Sequence, residues 1–538
     1  MKKHKVLLSI LLSGSVIISA CGGGGGDENP PNQVTEAFDE LVYSASPTQG
    51  EPFIVRRASE GRQFHSELES SSIEHSLISY NGSPPSAGSA DVKHVAVVRT
   101  NATSGNRELL IDDIKVSGDV VPFGQLATDA QWSPDGTKLA FLATLATNNI
   151  PELYVVEVGG TATTPISAPL DEGYNIFYFE WSPNSEYIAY ATTFEDFDGA
   201  NDAYTVQVDD ASTAKLIFGV PAPLLGAGDG LREIVWSPDS TRLAFTADYN
   251  TPFVQDLYTI DVDGNNPISV TTLTDNDDVV RYSYSWSSTS NKLAFRVQSN
   301  PGGGAPLVAE LYSVDRASAV ESKLNGGLVE GGSVRSYQWS PNGSRLAYIA
   351  DQEIDGLDQL YAMVADPTGN PSKIESGDLH VSSEIKWSPD SRKIAFRVVD
   401  GEDTNAIYRY DIDDQETIPL VTEGDFNAFS WSPNSDFLVY LSSIGIDDVI
   451  SRKLFTVQAN GGGIDQLNSL TTSNGNIIKY QWAPLGQHLA YIENDVSNGT
   501  GLNFTEYNLF TIRLEDENVV QINSFLGDDG DVFDFDWL

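Results

Sequence analysis

Apolar and polar residues alternate in short runs along most of the chain, and the runs return in one frame. Tyr282-Ser283-Tyr284-Ser285-Trp286, Phe533-Asp534-Phe535-Asp536-Trp537 and Tyr480-Gln481-Trp482 all have period two. That period predicts a strand with the Trp and the residue two before it on one face, packed in a core. Trp132-Ser133-Pro134-Asp135-Gly136 then reads as a turn: Pro presets φ, Asp tolerates the bend and Gly accepts positive φ. A second apolar strand follows (Leu139-Ala140-Phe141), then a loop of variable length and a third strand such as Glu152 to Val156 or Asp256 to Ile260. Past a turn like Asp261-Val262-Asp263-Gly264, a weaker fourth strand begins at Ile268. No helical period separates these runs, so each frame predicts one four-stranded antiparallel sheet.

The frame recurs about every 50 residues, led by Trp132, Trp181, Trp236, Trp286, Trp339, Trp387, Trp431 and Trp482, with Trp537 as its last trace. That spacing suits a propeller blade of roughly 40–50 residues, and every Trp of the chain stands at this one position. The Trp-Ser-Pro-Asp/Asn-Gly/Ser, Leu/Ile-Ala-Phe/Tyr and Leu-Tyr elements resemble the WD-repeat-like β-propeller repeats of TolB, which are also similar to those of the dipeptidyl-peptidase family. The resemblance covers nearly everything after about residue 38 and implies an all-β propeller. It implies little about activity, because such propellers serve scaffolds, receptors and enzyme gates alike. The stretch before the repeats is too short and strand-like for the α/β domain that TolB carries.

Laid over later units, Leu41-Val42-Tyr43 falls at a second strand and Pro52 to Val55 at a third, while Tyr80 takes the Trp position 52 residues before Trp132. Val95 to Val98 and Leu109 to Ile111 supply that unit's next strands. The strand from Val532 to Trp537 would complete the blade of Leu41 and Pro52. The expectation is a single ring closed by the C-terminal strand, with ten repeat units and eight to ten blades.

Residues 1–20 have the form of a secretion signal: Lys2, Lys3 and Lys5, then an apolar run from Val6 to Ile18 too short to span a bilayer. Ile18-Ser19-Ala20-Cys21 resembles a bacterial lipobox, which would make Cys21, the one cysteine of the chain, a lipidated N-terminus. Residues 21–37 then form a Gly- and Pro-rich tether and 38–538 the propeller. The resemblance implies an outer-membrane lipoprotein, facing periplasm or cell surface and held to the membrane by its lipid alone. Gly follows Cys21 in place of the Asp that marks inner-membrane retention in enteric bacteria.

A formal charge of −45 excludes nucleic acid as a partner. The acids gather in two loop classes. Connections from second to third strand carry Asp198, Asp355, Asp358 and Asp403, and connections from a fourth strand to the next unit carry Asp277, Asp278, Asp425 and Asp529. With alternating strand direction both classes leave a sheet at the same end, forming a candidate binding or cation face. Such a face suits a basic segment of another envelope protein, or Ca²⁺ as the one cofactor considered, although no loop completes the twelve-residue EF-hand pattern.

No Gly-x-Ser-x-Gly nucleophile signature occurs, and His65, His75, His94, His380 and His488 show no ligand spacing. No catalytic residue is assigned. The enzyme alternative is a polysaccharide lyase or glycosidase acting from the channel. Oligogalacturonide lyases resemble this propeller family and use histidines at a metal, and paired carboxylates can run glycoside chemistry.

Overall fold

The computed structural model describes residues 40–46, 54–59, 76–78, 96–100 and 107–111, then most of 114–537 apart from connecting segments, the longest being 220–230 and 522–530. The described residues form 39 strands, β1 to β39, and no helix. They make ten antiparallel sheets, nine of four strands and one of three. The three-stranded sheet has the order β2 (Ile54–Ser59), β1 (Glu40–Ser46), β39 (Asp531–Trp537). Leu41 stands opposite Trp537 and Tyr43 opposite Phe535, so the C-terminal strand completes the N-terminal sheet as the repeat frame requires. The protein is an all-β β-propeller of blade-type sheets.

By its contacts the chain divides into two compact units. One comprises residues 1–80, 84–113 and 474–538, and includes the β1 sheet and the sheet of 476–521. The other comprises 81–83 and 114–473. It holds seven sheets, the first spanning 120–157 and the others 174–219, 231–269, 279–323, 334–373, 380–421 and 425–466.

Two departures from the repeat are local. In the 120–157 sheet the first strand is split into β7 (Val120–Pro122) and β8 (Ala130–Trp132), both paired with β9 (Lys138–Leu145). Its fourth strand shrinks to a single bridge between Tyr154 and Pro165, because proline offers no amide to extend the ladder. In the second repeat unit, β3 (Ser76–Ile78) ends just before Tyr80, which lies outside the described residues.

Within the larger unit, the frame is a joint between consecutive sheets. Trp181 is 5% exposed and packs with Phe179 against Ala140, Leu142 and Leu153 of the sheet before it. Burial of each such side chain contributes roughly 1.5–3 kcal/mol. The indole N–H groups of Trp181, Trp236, Trp286, Trp339, Trp387 and Trp431 donate to the carbonyls of Gln131, Glu180, Val235, Ser285, Gln338 and Lys386, at 2.9–3.3 Å. Each acceptor directly precedes the Trp of the preceding unit.

The Ser after the Trp is fully buried in most repeats, as Ser133, Ser182, Ser237, Ser388 and Ser432 are. Ser237 shows its role: Oγ donates to Asp239 Oδ1 at 2.7 Å and accepts from Arg242 N at 3.0 Å, fixing the turn. The last position of the frame is left-handed, with Gly136 at φ 70° and Ser240 at φ 61°. Where it is Ser, the hydroxyl reaches the sheet before, accepting from Asn184 N at 2.9 Å in the case of Ser240. The second and third strands add stacked cross-strand pairs such as Tyr190–Tyr204 and Tyr348–Tyr361, with centroids 5.1 and 5.2 Å apart.

Candidate functional site

Strand pairing puts the two acid-bearing loop classes at one end of a sheet. In the 334–373 sheet, Val334 pairs with Ala350 and Ala350 with Gln359. The start of β23 (Val334–Trp339) therefore lies beside the connection from β24 (Arg345–Ala350) to β25 (Gln359–Val364). That connection carries Asp355 and Asp358. Asp355 is exposed, its carboxylate oxygen against the left-handed Gly331 of the preceding connection. Asp358 is half-buried and ion-paired, 3.1 Å from Arg335 Nε and 3.7 Å from His380 Nε2, while its amide donates to His380 Nδ1 at 3.2 Å.

Asp425 opens β31 (Asp425–Trp431) as an exposed residue, and no bond joins it to the Asp355–Asp358 loop. Asp198, Asp277, Asp278, Asp403, Asp529 and Cys21 lie outside the described residues. Among the described residues no group of three His, Cys, Asp or Glu side chains is arranged to hold a metal ion.

The organising residue of this loop is Asp351, which is 0% exposed. Its carboxylate accepts from Ser333 N at 2.5 Å, Gly356 N at 3.1 Å and Arg335 at 3.0 Å. A buried charge needs such partners, and here they fold the loop back onto the sheet. Gln352 extends the clamp, accepting from Gly326 N and from the Tyr348 hydroxyl. Lys373 pairs with Glu353 at 2.9 Å. The acids of this loop are thus partly neutralised by cations of their own sheet. The sequence pattern showed the acids, but not Arg335 as the cation between Asp351 and Asp358.

A second group of titratable residues lies on the first strands, on the face opposite each Trp. Tyr178 and Glu180 stand on β11 (Tyr174–Trp181), and the Tyr178 hydroxyl donates to Glu180 Oε2 at 2.7 Å. Glu233 stands on β15 (Leu231–Trp236) at a register break, with φ 24°. Its carbonyl accepts from the hydroxyl of Tyr284 on β19 (Val279–Trp286) at 2.5 Å. Burial, reinforced by the charge of Glu233, pushes the Glu180 carboxyl above its ordinary value even against the Tyr178 hydrogen bond. Burial likewise raises Glu384 on β27 (His380–Trp387), against the opposing pull of Lys386 and Arg397. Period two had marked these positions only as the polar side of a strand.

The arrangement defines a β-propeller repeat protein with two polar regions, a loop end and a first-strand face. No family model matches the chain, and no curated protein matches it in sequence. Among solved structures it is similar to a eukaryotic initiation factor, at 12% identity over 80% of this chain and 96% of that one, with a TM-score of 0.48. Dipeptidyl peptidase 4 of Porphyromonas gingivalis is similar at 15% identity over 74% and 60%, TM-score 0.48. An oligogalacturonate lyase from Vibrio parahaemolyticus is similar at 10% over 76% and 98%, TM-score 0.36. Likeness this distant carries nothing about chemistry.

Proposed function

We propose that this chain is a lipid-anchored propeller of the bacterial cell envelope, of the TolB-like kind, that binds another envelope protein or peptide through its acidic loop end. The observation that carries the reading is the Asp351–Asp358 loop. A buried carboxylate and three backbone or guanidinium donors hold it in one shape, and that shape presents Glu353 and Asp355 to solvent. A preformed anionic loop on a chain of charge −45 favours a basic polypeptide segment, through steering as much as contact. Cys21 supplies the anchor, and the outer membrane is the destination that Gly22 favours.

Crosslinking in intact envelopes, followed by recovery of the anchored chain, tests the reading. A partner should be recovered at low salt and lost when Asp355, Asp358 and Asp425 are replaced together by Asn. Recovery untouched by that triple replacement would remove the acidic loop end from the interface. Cys21→Ser should shift the chain out of the membrane fraction.

One observation favours a second reading. Burial raises the half-buried Glu180 carboxyl above its ordinary value, as the general acid of glycoside cleavage requires, and the charge of Glu233 adds to that rise. A glycosidase or lyase of this design would lose its turnover of an envelope polysaccharide in Glu180→Gln and in Glu233→Gln.

A further inference from the structure

An asparagine followed by glycine is open to attack on its own side-chain amide, because glycine has no Cβ to hinder its nitrogen. Three such pairs lie among the described residues, Asn325-Gly326, Asn342-Gly343 and Asn460-Gly461, and the fold treats them differently. Asn325 is 6% exposed, and both ends of its amide are pinned: Oδ1 accepts from Leu311 N and Nδ2 donates to Gly326 O, each at 2.8 Å. The nitrogen that would attack it, Gly326 N, donates to Gln352 Oε1 at 2.8 Å. Asn342 is exposed, but its Oδ1 accepts three bonds, from Ser340 Oγ, Ser344 N and Ser344 Oγ, at 2.7–3.0 Å.

Asn460 has neither protection. It stands in the turn from β33 (Val449–Gln458) to β34 (Ile464–Gln466), exposed together with Gly461. Its Oδ1 accepts one bond, from Gly462 N at 2.9 Å, and its Nδ2 makes none among the described residues. In both exposed pairs the attacking nitrogen is held by one turn bond, Gly461 N to Gln458 O at 2.9 Å and Gly343 N to Ser340 O at 2.8 Å. The difference therefore lies in the side chain. Three successive glycines, Gly461 to Gly463, leave the Asn460 turn without side chains of its own to stiffen it.

We propose that Asn460 is a site of covalent modification, converting to aspartate and isoaspartate with water as the co-reactant. The Gly461 nitrogen gives up its proton to solvent and attacks Asn460 Cγ. A bond forms between that nitrogen and Cγ, the bond from Cγ to Nδ2 breaks, and Nδ2 leaves as ammonia. Water then opens the cyclic imide at either carbonyl. One opening restores the main chain as aspartate, and the other routes it through Cγ as isoaspartate. Isoaspartate lengthens the main chain by a methylene where space is tight, since an added Cβ on Gly461 would come within 3.2 Å of Ile418 Cδ1 in the 380–421 sheet. The short β34, paired with β33 only from Phe455 to Val457, is the element this loosens. Ala459 N donates to the Asp436 carbonyl at 2.8 Å, so the turn lies at the sheet end opposite the acidic connections and the modification does not rest on the binding reading.

Incubation of the full folded chain at pH 8, sampled over days and mapped by peptide mass spectrometry, tests the site. Asn460 should convert about tenfold faster than Asn342, the ratio that two further net hydrogen bonds at Asn342 imply. The Asn325 peptide should stay intact, and labelling by an isoaspartyl methyltransferase should fall on the Asn460 peptide. In denaturant the three rates should converge, because the bonds that separate them are gone. A folded chain in which Asn342 keeps pace with Asn460, or in which Asn460 stays intact while the denatured chain converts, overturns the proposal. Asn460→Asp carries the new charge without the detour in the main chain, so the isoaspartate fraction of aged wild type should melt below it. Equal melting of the two would overturn the loosening of β34.

Discussion

The two ends of each sheet are built on different principles. At the end where the first strand turns into the second, the repeats led by Trp132, Trp181, Trp236, Trp339, Trp387 and Trp431 use the same bonds: a buried Ser hydroxyl, an Asp or Asn acceptor and a left-handed Gly or Ser. At the other end, the connection from β24 to β25 is held by contacts that no other repeat copies among the described residues, Asp351 with Arg335, Ser333 and Gly356. Periodic bonds make the first end a scaffold whose failure should be felt everywhere. Single bonds make the second a set of local shapes that can vary without cost to the sheet, which is where binding function concentrates.

The contrast breaks most visibly at a joint. Trp236→Ala removes a 7%-exposed indole together with its bond to Glu180, and should cost about 3–5 kcal/mol in chemical unfolding. Asp351→Ala leaves the amides of Ser333 and Gly356 and the Arg335 guanidinium without an acceptor. It should cost about 2–4 kcal/mol and raise amide exchange across 324–358, while exposed Asp355→Asn stays within about 0.5 kcal/mol. If Asp351→Ala proves as mild as Asp355→Asn, the loop end is not held as described.

The frame's last position sharpens the comparison. Ser240→Ala loses the Asn184 bond at an unchanged positive φ and should cost about 1–2 kcal/mol. Ser240→Gly loses the bond but relieves the backbone, and should be neutral to about 0.5 kcal/mol. Equal losses would assign no role to backbone strain.

The smallest effect is one of pH. Burial works to raise the Asp239 carboxyl, but hydrogen bonds from Ser237, Thr241 and Arg316 outweigh it and bring the group down to about 2. A depressed carboxyl contributes stability above its unfolded value near 3.9 and loses it as pH falls toward 2. Asp239→Asn should therefore be less stable than wild type at pH 6, with the gap closing in acid. A gap that stays constant between pH 6 and pH 2.5 would detach the turn from this charge.

What could be read from the sequence follows the same division. The joint was legible because it is repeated and local: Trp, Ser, Pro and Asp within four positions announce the strand, the turn and the buried face. Even the pairing of Leu41 with Trp537 followed from the frame, since each end supplies the strands that the other lacks. Arg335 and His380 were not legible as partners of Asp358, because they stand 23 and 22 residues away in positions no repeat shares. The Glu180–Glu233 relation was hidden for another reason. Period two gives the face of a strand, and the register break between Arg232 and Ile234, where Glu233 sits, interrupts that period in a way composition does not announce.

The six indole bonds from Trp181 to Trp431 all point the same way, each of these side chains reaching back to the unit before it. The receiving half of that joint is a peptide carbonyl, which any residue supplies, so Gln, Glu, Val, Ser and Lys serve equally. A duplicated repeat brings its own connector and asks nothing of its new neighbour's side chains. Copy number can therefore change by recombination without a matching second mutation, and a gene built this way can lengthen one repeat at a time.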